Sequence, residues 1–242
     1  MPPASLELSP AGVTRTLATV TIMLLALSFG GQVFRFSTGH DHVYGLLALF
    51  NVGKEENIPT MFTSFLLLAS ALLLLMIWRI ERARGGPCAG HWLLLACGFA
   101  FMAPEEVIGL HERMTEPMRA ILGGKDLGAL YFAWVVPAAV LLLGLAIAFI
   151  PFLRALSRGE AVRFIVSGVV YLGGAIGCEL VGGAWAERHG ADNLAYQAIV
   201  TLEEGMEMAG VVVFIWALLH FIEDHYGEVR IDLRTSAVPP PL

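Results

Sequence analysis

NLAYQAIVTLEEGMEMAGVVVFIWALLHFI, residues 193–222, is apolar and long enough to cross a bilayer as one helix, yet it carries Glu203, Glu204 and Glu207. About 20 apolar residues suffice for a crossing. Ionisable groups at membrane depth are costly, face the bundle interior and mark sites of chemistry. Four further runs, 16–34, 57–78, 85–104 and 127–153, hold no charged residue, and a fifth, 164–186, holds only Glu179. The chain of 242 residues is 57% hydrophobic and 15% charged, whereas a soluble domain carries about 25% charged residues. Its mean hydropathy is +0.71. These values predict an all-α membrane bundle of six transmembrane helices over 14–34, 58–79, 89–112, 128–152, 163–186 and 196–222. Together they form one domain, 13–225, between an N-terminal tail, 1–12, and a C-terminal tail, 226–242, expected to be disordered.

The first run is read as a retained helix, because Ser28-Phe29-Gly30-Gly31-Gln32 is a poor small-x-small cleavage site. Basic residues set the orientation. Arg15, Arg79, Arg82, Arg84, Arg154, Arg158, Arg163, Arg230 and Arg234 fall on one side, against Arg35, Lys54, Arg113, Arg119, Lys125 and Arg188 on the other. The richer side is expected to be cytoplasmic, with both termini there, in a bacterial inner membrane. A net charge of −6 argues against nucleic acid as a partner. Cys88, Cys97 and Cys178 show no CxxC spacing, so no cysteine metal knuckle is indicated.

Counting along the helices places the acids. From Cys88 to Glu105, from Phe164 to Glu179 and from Ile222 back to Glu207, the rise is roughly 22–26 Å at about 1.5 Å per residue. Three helices thus bring carboxylates to one layer, in the outer third of a core about 30 Å thick. Helical phase puts Glu105 and Glu112 on one face of the third helix, with Glu106 and His111 on its two flanks. All four reach one site only if the helix is distorted, and Pro104 supplies one means. Gly205, with Gly177, Gly182 and Gly183 around Glu179, leaves room for close backbone approach.

Crowded carboxylates in a low-dielectric layer cannot all ionise without compensation. The cluster must share protons, open to water or hold a metal. The candidate ligands are His111, Glu106, Glu112, Glu179, Glu203 and Glu207, with Glu105 and Glu204 as candidate catalytic acids or bases. A divalent metal ion, zinc, iron or manganese, fits such donors without being distinguished by them. The Glu-x-x-His pair of di-iron bundles is absent, since Ile108 stands three before His111. His40-Asp41-His42 presents two imidazoles at a spacing that can reach one metal, or a solvated loop. Glu55 and Glu56 open the second helix, where acids complement the macrodipole. His91, His220 and His225 belong to the opposite side. The five tryptophans, Trp78, Trp92, Trp134, Trp185 and Trp216, read as interfacial anchors or lipid contacts.

Glu56-Asn57-Ile58-Pro59-Thr60, then Glu105-Glu106 with His111-Glu112, then Glu203-Glu204-Gly205-Met206-Glu207 form an ordered set of motifs. In that order the chain resembles a group of uncharacterised bacterial multipass membrane proteins, departing where Ala103-Pro104-Glu105 replaces an expected Ser-Leu-Asp. The resemblance implies a membrane protein of that group and no particular activity. The leading expectation is a metal-binding or acid/base site facing the periplasm, performing metal-assisted hydrolysis or other chemistry on a lipid or small-molecule substrate. A proton- or cation-coupled transporter or channel, and an accessory subunit of a membrane complex, are the alternatives.

Overall fold

The computed structural model describes residues 9–124 and 126–227; residues 1–8 and 228–242 of the expected tails lie outside these limits, and the first helix begins within the N-terminal tail at Pro10. Six helical segments are long and apolar enough to cross a membrane, and no strand occurs among the described residues. They are α1 (Pro10–Thr38), α3 (Ile58–Arg84), α4 (Ala89–Ile108), α7 with α8 (Val135–Ala148 and Ile150–Ala155), α9 with α10 (Arg158–Leu172 and Glu179–His189), and α11 (Leu194–Tyr226). Short helices α2 (Leu46–Phe50), α5 (Leu110–Arg113) and α6 (Thr115–Leu122) lie in the connections. Large apolar side chains such as Met61, Phe65, Leu72, Val140, Leu143 and Val169 point outward and are exposed. In water that surface would drive association; in lipid it is the matching solvent.

The helix ends follow local chemistry. Asn193 caps α11 by accepting from the Tyr196 N–H at 2.9 Å, and Ser157 with Glu160 forms a reciprocal capping box on α9. Asn57 caps α3 through Thr60 N–H at 3.1 Å. Its amide also donates to the carbonyls of Asn51 and Lys54 at 2.6 and 2.7 Å, while Thr60 Oγ1 donates to the Lys54 carbonyl. The Asn-x-Pro-Thr stretch is thus a knot that fixes the 51–57 loop, and Glu55 with it. Asn57 is buried, so Asn57→Ala removes a cap and the shorter of two hydrogen bonds at each carbonyl, leaving Asn51 with only the Lys54 N–H and Lys54 with only Thr60 Oγ1. We expect a loss of about 2 kcal/mol, read as a thermal midpoint lower by roughly 4–8 °C in detergent.

Helix α11 is the axis of the bundle, packed against α1, α3 and the α9–α10 span, while α3 pairs along its length with α4. Two apolar cores stack along this axis. Leu66, Leu67, Ala103, Met208, Val211 and Ile215 form one. Beyond it Leu74, Trp92, Phe152, Phe164, Phe214 and Phe221 form an aromatic plug. Trp92 is therefore a core residue at 2% exposure, not the interfacial anchor expected of it. At the far end of the plug His225 meets Glu160 at 2.5 Å, Tyr226 donates to Glu81, and His220 pairs with Glu223. These contacts, with His91 stacked on Phe152 and edge-on to Phe149, keep His91, His220 and His225 away from the acids of the other end.

Candidate functional site

The expectation of one continuous helix over 89–112 is corrected. Helix α4 runs through Pro104 unbroken and stops at Ile108. Gly109 takes a left-handed conformation, φ 61°, and its N–H returns to the Glu105 carbonyl at 2.8 Å. That is the αL stop that glycine allows at little cost. The seven-residue phase from Glu105 to Glu112 consequently does not hold. The chain instead folds back, and the carboxylate of Glu105 receives both the backbone N–H of His111 at 2.9 Å and its ring Nδ1 at 2.7 Å. An ionised Glu105 only accepts, so beside it Nδ1 carries the hydrogen and Nε2 is left for other work.

Gly109 also makes room. A Cβ at that position would run into the carboxylate of Glu55, so Glu55 stands over the turn and is more than an N-terminal charge of the second span. Burial raises its pKa, as does the charge of Glu112, against the lowering by His111 and Arg113. Burial pulls the pKa of His111 down, but the hydrogen bond and charge of Glu105, with the charges of Glu112 and Glu179, outweigh it and leave it raised.

From His111 the site continues across the bundle. Its ring lies 4.5 Å from that of Trp134, and the Trp134 indole N–H donates to Glu179 Oε1 at 2.7 Å. Trp134 is thus a bridge between the third and fifth spans rather than an anchor in lipid. The Glu179 carboxyl in turn neighbours that of Glu203, and Glu207 neighbours Tyr171. Glu106 and Glu204 stand where their charges act on Glu207 and on one another. Glu105, Glu106, Glu179, Glu203, Glu204 and Glu207 all keep partial accessibility, and Glu112 is exposed. The structure therefore gathers the eight residues singled out above at one end of the bundle. Among the described residues, no three His, Cys, Asp or Glu side chains are arranged to hold one metal ion.

A π-helical segment, Gly173–Cys178, produces this register. Tyr171 and Glu179 are eight residues apart, about 80° out of phase in a regular helix. A π turn absorbs one residue and brings them to within about 20° of one face. Glycine lets that face reach α11. A Cβ on Gly174 would lie 2.7 Å from the Glu203 carbonyl oxygen, and one on Gly210 would lie 2.7 Å from the Tyr171 nitrogen. Of the glycines expected to allow close approach, Gly205 meets Leu25 of α1, Gly183 meets Tyr131 and the Ala129 carbonyl, Gly182 makes ordinary contact with Tyr196 and Ile199 of α11, and Gly177 meets nothing within 4 Å.

The loop bearing Trp134 is held from behind. Glu187 accepts from the backbone N–H groups of Leu127 and Gly128, and Arg119 lies over Tyr131 at 4.5 Å. The His40-Asp41-His42 loop takes no part. Arg35 binds both Asp41 and Asp192, at 2.9 and 2.8 Å. This ties α1 to the turn before α11, and His40 turns back on the Thr38 carbonyl.

A family model described as "Domain of unknown function (DUF8692)" matches residues 17–222. The chain belongs to that family. No curated protein and no solved structure matches it. The matched stretch contains every acid of the cluster, with His111, Trp134, Glu55 and the π segment, and leaves out the His225–Tyr226 contacts at the opposite end.

Proposed function

We propose that the chain is a membrane acid/base enzyme acting on an amphiphile at one face of a bacterial inner membrane, the periplasmic one by its distribution of basic residues. The observation that carries this reading is the Glu105–His111 pair. A carboxylate on Nδ1 fixes the tautomer and orientation of an imidazole, so that Nε2 serves as general base and stabilises the imidazolium that follows. Glu179, Glu203, Glu204, Glu106 and Glu207 crowd one layer and must hold protons among them, which supplies the complementary acid. A metal-assisted version uses the same His111 nitrogen, backed by Glu105 as an oriented ligand. It requires Glu106, Glu112 or Glu207 to swing toward it, since no such set is assembled among the described residues.

A coupled transporter needs a polar path to the other face. The aromatic plug around Trp92, Phe152, Phe164 and Phe214 fills that half of the bundle, which favours one-sided chemistry. The accessory-subunit alternative expects the acids to point outward on different sides, and their convergence weighs against it.

The test incubates the purified chain in nanodiscs of bacterial lipid extract and compares the lipids by mass spectrometry. The wild type is expected to convert at least one lipid class that His111→Gln leaves unchanged at equal folding. Conversion that persists in His111→Gln, or none in the wild type with or without added zinc or manganese, overturns the proposal.

A further inference from the structure

We propose that the outward face of α10 binds an anionic phospholipid, independently of the chemistry above. A groove of about 460 Å³ runs along this face, walled by Leu180, Val181, Ala184 and Trp185 and ending at Arg188 and His189. Residues 180, 184 and 188 recur at the helical spacing that stacks side chains on one face. The apolar wall therefore leads directly to the guanidinium, over about 12 Å of helix axis. The span itself ends at His189, which puts the cation at headgroup level and the groove at acyl-chain depth.

The charges near the mouth support the same occupant. Glu187, the neighbour of Arg188, is turned to the backbone N–H groups of Leu127 and Gly128. Asp192 in the following turn is taken by Arg35. No ion pair of Arg188 occurs among the described residues, and both Arg188 and His189 are exposed. Trp185 stacks on His189 with ring centroids 4.3 Å apart, and its indole N–H is held by Asn193 Oδ1 at 3.1 Å. The mouth is thus a fixed aromatic wall beside a cation with planar donors suited to a phosphate diester. An anionic lipid satisfies the apolar groove and the cation together; free phosphate satisfies only the second.

Trp185 lines the groove and so reports its occupancy. The full chain in phosphatidylcholine nanodiscs is doped with brominated phosphatidylglycerol or brominated phosphatidylcholine. The Trp185 signal is taken as wild type minus Trp185→Phe. We expect half-quenching at a mole fraction of the anionic lipid at least three-fold lower than of the zwitterionic one. Arg188→Gln should erase that preference and Arg188→Lys keep most of it, both with unchanged thermal midpoints. Inorganic phosphate in the buffer should not relieve the quenching. Equal quenching by the two lipids, or a preference that survives Arg188→Gln, overturns the proposal, and relief by phosphate reassigns the site to a free anion.

Discussion

Gly210→Ala should destabilise the bundle by about 3 kcal/mol or more, lowering the thermal midpoint in detergent by roughly 6–12 °C. The added Cβ would stand 2.7 Å from the backbone nitrogen of Tyr171 and 2.8 Å from its Cα. Main-chain atoms cannot rotate away, so the fifth and sixth spans must separate. Separation costs dispersion contacts along the whole seam, because helix association in lipid relies on close packing rather than on hydrophobic burial. It also shifts Tyr171 relative to its neighbour Glu207, three residues from the substitution. Two glycines serve as controls. Gly205→Ala meets only the mobile end of Leu25 at 3.0 Å, and Gly168→Ala in α9 meets nothing within 4 Å. The first should cost under about 1 kcal/mol, and the second should be neutral or stabilising by up to about 1 kcal/mol, since alanine is the better helix former. A midpoint for Gly210→Ala within the range of the controls would show that the two spans are not in contact there.

That seam shows which features a linear reading can reach. The six spans are legible because crossing a bilayer demands length and apolarity, and both are local properties of the chain. The acid layer is legible for a related reason: counting residues along a helix measures depth, whichever way the side chains point. Azimuth is different, since one extra residue in a turn moves everything after it by about 100°. Nothing in Gly173-Gly-Ala-Ile-Gly-Cys178 distinguishes a π turn from an α turn, and the preference for one is set by how Gly174 and Gly210 let α11 approach. The break at Gly109 is hidden likewise. An isolated glycine within a helical pattern is tolerated, and Pro104 is the more conspicuous suspect, yet α4 passes through it. Trp134 was legible as amphipathic but not as the partner of Glu179, because that contact joins residues 45 positions apart. Glu55 enters the site for the same non-local reason, through the space that Gly109 leaves.

Replacing Glu105 with glutamine should lower the pKa of His111 from its raised value. Burial acts alone to lower the imidazole, and in the wild type it is opposed chiefly by the hydrogen bond and the charge of Glu105. Glutamine keeps the size and can still accept a hydrogen bond, but it removes the charge, leaving only the charges of Glu112 and Glu179 to oppose burial. The measurement is an NMR titration of histidine-labelled protein, with the His111 signal assigned by its loss in His111→Gln. The sign of the stability dependence follows. A raised folded-state value means that the pair contributes fully below the unfolded-state pKa of about 6.5 and loses that contribution as pH rises through the folded value. Glu105→Gln should therefore lower the wild-type midpoint most in mildly acidic buffer and least in alkaline buffer. On the proposed chemistry the same change should reduce turnover by about 10²–10⁴-fold at neutral pH, because the amide leaves the tautomer unspecified and the imidazolium unsupported. Glu105→Asp, which restores the charge on a shorter arm, should recover part of both effects. A merely structural carboxylate would give the displaced titration and the midpoint change with turnover intact, so unchanged turnover in Glu105→Gln would remove the pair from the mechanism.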